Sequence, residues 1–102
     1  MKNIFDLTGK VAVITGSTKG IGKSIAEQMA LQGATVVISS RKADACEAVT
    51  AEINAMVEGG AGRAVSIPCH IGDKDQLQQL VDQTRENLGK IDILVCNAAI
   101  NP

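Results

Sequence analysis

Val11-Ala12-Val13-Ile14-Thr15-Gly16-Ser17-Thr18-Lys19-Gly20-Ile21-Gly22 decides the fold of this chain. A short run rich in β-branched residues enters a glycine-spaced turn, and a helical pattern leaves it. Such a strand-turn-helix unit makes a phosphate cradle. The first N–H groups of the helix point outward unpaired, and the helix dipole adds about half a positive charge there. No acidic side chain stands between Gly16 and Ala26 to oppose an anion. Glycines keep Cβ atoms away from a pyrophosphate and let the turn take unusual φ values. The stretch reads as a nucleotide site.

The glycine spacing G-x-x-x-G-x-G differs from the dinucleotide form G-x-G-x-x-G. Gly22-Lys23-Ser24 imitates the end of a P-loop, but that loop needs a glycine five positions before Gly22, where this chain has Ser17. A P-loop is therefore rejected.

Outward from the cradle the hydrophobic period switches repeatedly between helix and strand. Ile21, Ile25 and Met29, with Ala26 and Ala30, form one helical stripe that stops near Gly33. Thr35–Ile38 reads as a second strand. Ala45, Val49, Ile53 and Met56 mark a second helix, broken by Gly59-Gly60-Ala61-Gly62. Ala64–Ile67 is a third strand, stopped by Pro68. Asp73 with Gln76 reads as a capping box for a third helix, whose buried stripe is Leu77, Leu80, Val81, Thr84 and Leu88. Gly89 ends it, and Ile91–Val95 is the fourth strand. Alternating strands and helices predict an α/β, Rossmann-type doubly wound parallel sheet, here with four strands in the order 3-2-1-4. Near-continuous apolar strands fit a sheet covered on both faces. A ligand then sits at the carboxyl ends of strands one and four, where the winding reverses.

The end of the second strand selects the cofactor. An acid about 20 residues past the glycines would hydrogen-bond both adenosine ribose hydroxyls and repel a 2′-phosphate. Here the stretch is Ser39-Ser40-Arg41-Lys42, with no acid until Asp44, and Lys19 approaches the same place from the glycine turn. A phosphomonoester carries about −1.5 to −2 charges, which arginine binds through paired N–H groups. NADP is expected in preference to NAD.

Composition removes other classes. At 102 residues the chain is long enough for one core, and its net charge of −1 supplies no field for nucleic acid. No apolar run reaches the roughly 20 residues of a membrane span, and the N-terminus lacks the apolar stretch of a signal peptide, so a cytoplasmic location is expected. Cys46, Cys69 and Cys96 show no CxxC spacing and are expected as small buried hydrophobes. With His70 the only histidine, no metal site is expected.

Thr15-Gly16-Ser17-Thr18-Lys19-Gly20-Ile21-Gly22 resembles the Thr-Gly-x-x-x-Gly-Ile-Gly signature of the short-chain dehydrogenases/reductases. Cys96-Asn97-Ala98-Ala99 resembles that family's Asn-Asn-Ala-Gly motif, and Leu7-Thr8-Gly9-Lys10 and Ile91-Asp92-Ile93-Leu94-Val95 fit its pattern. The resemblance runs from Leu7 to the last residue. It implies that Gly16, Ser17, Thr18, Lys19, Gly20, Ile21 and Gly22 hold the pyrophosphate and adenosine side, with Ser40, Arg41 and Lys19 around a 2′-phosphate. Where the family usually has an Asp meeting the adenine amino group, this chain has His70 followed by Ile71, which leaves adenine to the backbone there. Asn97 would fix the sheet and line the nicotinamide-side ribose, beside Ala98 and Ala99; Ala99 puts a methyl group where glycine is common. Cys69-His70-Ile71-Gly72 and Asn97–Pro102 look like carbonyl- and retinol-reductase members.

In that family the proton-moving Tyr, its Lys four residues later, and a Ser lie beyond the Asn-Asn-Ala-Gly motif. This chain has no tyrosine. The resemblance therefore implies that residues 1–102 are the N-terminal portion of a single NAD(P)-binding domain, cut after strand four. No catalytic residue is expected in them. Expressed alone, they are expected to be marginally stable, to aggregate through the open edge of strand four and to bind NADP weakly. The complete protein is expected to act on a small carbonyl or alcohol as a homo-dimer or homo-tetramer. Two other classes stay open: a noncatalytic dinucleotide-binding module, and a piece completed by another chain.

Overall fold

Strands and helices alternate without exception in the computed structural model, which describes residues 5–70 and 74–97. They are β1 (Val11–Thr15), α1 (Gly20–Leu31), β2 (Thr35–Ser39), α2 (Ala43–Met56), β3 (Arg63–Ser66), α3 (Lys74–Leu88) and β4 (Ile93–Cys96). The sheet is parallel with the order β3-β2-β1-β4, as the sequence predicts. Val13 lies opposite Val37 on one side and Leu94 on the other.

All five residues of β1 are buried, because helices cover both faces of the central strand. Ala12 and Ile14 join Val36, Ile38 and Ala64 on the face covered by α1 and α2. Val13 and Val37 join Ile67, Cys69 and Leu80 on the face covered by α3.

The stripes of α1 and α2 are shifted in part from their expected members, and that of α3 falls where the sequence predicts. In α1 the buried residues are Gly22, Ala26 and Ala30, while Ile21 is 74% exposed and Ile25 and Met29 are only partly covered. Close approach is the reason. A Cβ on Gly22 would collide with the Gly16 carbonyl oxygen and lie 2.5 Å from Asn97 Nδ2, so small residues face the sheet. In α2 the stripe is Cys46, Val49, Ile53 and Val57 rather than Ala45 and Met56; Met56 is 43% exposed. In α3, Leu80 and Thr84 are buried, with Leu77, Val81 and Leu88 at intermediate depth. The Thr84 hydroxyl is satisfied by donating to the Leu80 carbonyl at 2.7 Å. Asp73, the expected cap of α3, lies outside the described residues. Gln76 Oε1 accepts the His70 N–H at 2.9 Å.

β3 begins one residue before its expected start, and β4 begins at Ile93 rather than Ile91. Asp92 is occupied in a clamp on the start of β1. Its N–H donates to the Val11 carbonyl at 2.9 Å, and its Oδ2 accepts the Val11 N–H at 2.8 Å and the Lys90 ammonium at 3.0 Å. The Val11 N–H first, and Lys90 second, hold the Asp92 carboxyl below the usual carboxylate range. At the other side of the sheet, Asn54 of α2 clamps Ala64 of β3. Its Nδ2 donates to the carbonyl at 3.0 Å and its Oδ1 accepts the N–H at 2.7 Å. Cys46 and Cys69 are buried as expected. Cys96 is exposed, because it ends β4, which pairs on one side only among the described residues.

Candidate functional site

Parallel strands bring all four carboxyl ends to one edge, and the predicted site residues that the structure describes gather there. Gly16–Lys19 link β1 to α1. Gly16 and Gly20 both have positive φ, +63° and +61°, which glycine alone adopts at little cost. A Cβ on Gly20 would find no atom within 4 Å, so the backbone at the start of α1 faces open space. Lys19 is the N-cap and makes no side-chain cap, and the first turn carries no acid. The leading N–H groups of α1 are thus left for an external acceptor, the requirement of an anion site.

Ser17 is placed differently from its expected role at the cradle. It is fully buried, and both its polar groups turn to the end of β2. Its N–H donates to the Ser39 carbonyl at 3.2 Å, and its Oγ accepts the Ser39 N–H at 2.8 Å. The serine staples the glycine turn to β2. Thr18 is partly buried, and Lys19, Gly20 and Ile21 are exposed on the rim.

Ser40 and Arg41 follow β2 directly. The Ser40 hydroxyl accepts the Lys42 N–H at 3.3 Å, closing a tight turn that presents Arg41 and Lys42 to solvent before α2 starts. Ion pairs among the described residues are Lys23–Glu52 at 2.8 Å and Lys90–Asp92 at 3.0 Å, so Lys19, Arg41 and Lys42 keep their charges for other partners. Past β3, the Cys69 N–H donates to the Ser40 carbonyl at 2.9 Å, and this carries exposed His70 to the same edge.

Asn97 ties the end of β4 to the glycine turn. Its N–H donates to Thr15 Oγ1 at 3.0 Å and its Nδ2 to the Gly16 carbonyl at 3.4 Å. Thr15 itself donates to the Val95 carbonyl at 3.4 Å. Sequence reasoning assigned no hydrogen-bonding role to Thr15, Asp92, Cys46 or Asn54; each is matched to a partner that no local pattern announces. Ile71, Ala98 and Ala99 lie outside the described residues. Among those described, no group of His, Cys, Asp and Glu is arranged to hold a metal, and no helix is long and apolar enough to cross a membrane.

An uncapped, acid-free helix start, an open glycine and a basic turn at the neighbouring strand end fit a phosphate-bearing dinucleotide laid across the sheet edge. Comparison with known proteins agrees. Residues 10–102 match the family model described as short chain dehydrogenase. The short-chain dehydrogenase/reductase SDRA of Arabidopsis thaliana is 47% identical over 94% of this chain and 36% of its own length. The human mitochondrial dehydrogenase/reductase SDR family member 2 is 44% identical over 94% of this chain and 33% of its own length. The crystal structure of a hydroxysteroid dehydrogenase from Escherichia coli superposes with a TM-score of 0.86 at 43% identity, over 94% of this chain and 39% of that one. The chain spans about a third of the length of the curated relatives it matches. With the fold, the glycine cradle and the family model in agreement over nearly all its residues, the chain belongs to the short chain dehydrogenase family of oxidoreductases.

Proposed function

We propose that residues 1–102 are the N-terminal, cofactor-binding portion of a single NAD(P)-binding domain in an NADP-dependent oxidoreductase acting on a carbonyl compound or secondary alcohol. The observation that carries the cofactor choice is the β2–α2 turn, where Ser40 and Arg41 stand without an acid and Arg41 is exposed and unpaired in any ion pair of the described residues. An acid at that point would repel a 2′-phosphate, whereas a guanidinium binds one through parallel N–H groups.

In this reading the N–H groups at the start of α1 hold the pyrophosphate, and Gly16, Gly20 and Gly22 keep the cradle open. Ser17 fixes the cradle to β2. Thr18, Lys19, Ser40 and Arg41 surround the adenosine ribose and its phosphate, and Ile21 covers the cradle rim. His70 and Ile71 border the adenine. Asn97, Ala98 and Ala99 border the nicotinamide-side ribose. The bound cofactor supplies or accepts the hydride, and this chain's residues bind and orient it. By the family resemblance, the Tyr, its Lys and the Ser that move the proton would lie after the Cys96-Asn97-Ala98-Ala99 motif, and residues 1–102 hold no tyrosine. The names of relatives, dehydrogenase/reductases and a hydroxysteroid dehydrogenase, support a small-molecule carbonyl or alcohol substrate. A homo-dimer or homo-tetramer in the cytoplasm completes the proposal.

Arg41→Ala tests the cofactor choice. Charge-assisted hydrogen bonds contribute about 1.5–3 kcal/mol, so the variant should bind NADP about 10–100-fold more weakly and NAD almost unchanged. Equal weakening of both cofactors in fluorescence titrations would defeat the 2′-phosphate assignment.

A further inference from the structure

We propose that Cys46 is a positioning residue for cofactor choice: its buried thiol fixes the backbone of the turn that carries Ser40 and Arg41. This rests on the reading that those two residues receive the 2′-phosphate. Cys46 lies in the first turn of α2 and is fully buried. Its Sγ accepts the Ser40 N–H at 3.2 Å and lies 3.4 Å from Ser40 Oγ, and the thiol faces the Ser40 carbonyl at 3.7 Å. One side chain thus meets every polar group of Ser40.

Those contacts matter because Ser40 is the first residue past the end of β2. The Ser40 carbonyl accepts the Cys69 N–H, and the Ser40 hydroxyl accepts the Lys42 N–H. Without the sulfur, the Ser40 N–H is left unsatisfied in a half-buried position. The hydroxyl, held by the Lys42 backbone on one side and the sulfur on the other, then loses one of the contacts that fix it. Arg41, the next residue, moves with any rotation of the Ser40 peptide. Valine fills the site with no acceptor, although it is larger than cysteine by about one methyl group; serine keeps an acceptor on a shorter arm. The pair separates hydrogen bonding from packing.

The test uses the full-length protein and follows NADPH and NADH binding by nicotinamide fluorescence, with thermal melting as a folding control. Cys46→Val should weaken NADPH about 3–10-fold and leave NADH within about twofold, while Cys46→Ser should retain most of the preference. A Cys46→Val protein with the wild-type ratio of NADPH to NADH affinity would overturn the inference, as would a ratio lost equally in Cys46→Ser and Cys46→Val. If the valine variant does not fold, Cys46→Ala takes its place with the same criterion. Arg41→Ala, measured alongside, separates the two levels. If Arg41→Ala lowers the ratio and Cys46→Val does not, only the role of Cys46 falls. If neither changes it, the 2′-phosphate reading falls and takes Cys46 with it.

Discussion

Gly22 has no space for a methyl group, since its Cβ would meet the Gly16 carbonyl oxygen and the Asn97 amide. Gly22→Ala should therefore cost at least about 1–3 kcal/mol of stability, read from the urea midpoint of the full-length protein, because backbone lies on one side of the clash. A midpoint equal to wild type would contradict this packing. Glycine at this position was legible from the sequence, although as a cofactor residue; the structure makes it a contact between α1 and the strand ends. The clamp made by Asp92 was not legible. Its partner Val11 lies 81 residues away, and an aspartate inside an apolar run announces nothing about what it will clamp. Because the fold depresses its pKa, the charged form stabilises above the unfolded value of about 4, and that contribution disappears as pH falls through the depressed folded value. Asp92→Asn keeps an acceptor for Val11 but removes the charge. Its urea midpoint should lie below wild type at pH 7, and the gap should narrow as pH falls below the unfolded value of about 4; a gap independent of pH would assign the effect to geometry.

At the scale of elements, periodicity located every strand and helix and the buried stripe of α3, but it misplaced members of the stripes of α1 and α2. Ile21 is apolar and in helical register with Ile25, yet it stands on the exposed rim because small Gly22, Ala26 and Ala30 let α1 approach the sheet. In α2 the choice between Ala45 and Cys46 depends on the sheet beneath, which composition does not reveal. Asn54 shows how an element can protect an edge. By taking the N–H and carbonyl of Ala64 it occupies backbone groups of β3 that would otherwise invite another strand. Asn54→Leu should destabilise the fold by about 1–3 kcal/mol and accelerate exchange of the Ala64 amide. Unchanged protection of that amide would show that the clamp is dispensable.

For the whole molecule, right-handed crossovers and a doubly wound order made the sheet legible before any coordinates, and with it the edge on which the site residues assemble. The site was only partly legible. The glycine turn and the basic β2–α2 turn follow from residue type, whereas Ser17's inward staple and Cys46's grip on Ser40 depend on contacts between elements. β4 pairs on one side among the described residues and leaves Leu94 51% exposed. Residues 1–102 expressed alone should therefore aggregate, and Leu94→Lys should increase the monomer fraction on size exclusion; an unaltered elution profile would place the association elsewhere. Above all, this edge is proposed to hold NADP. Parallel calorimetric titration of the full-length protein with NADP and NAD tests it most directly. Stoichiometric NADP binding at least about tenfold tighter than NAD is the predicted result, and equal or tighter NAD binding would contradict it.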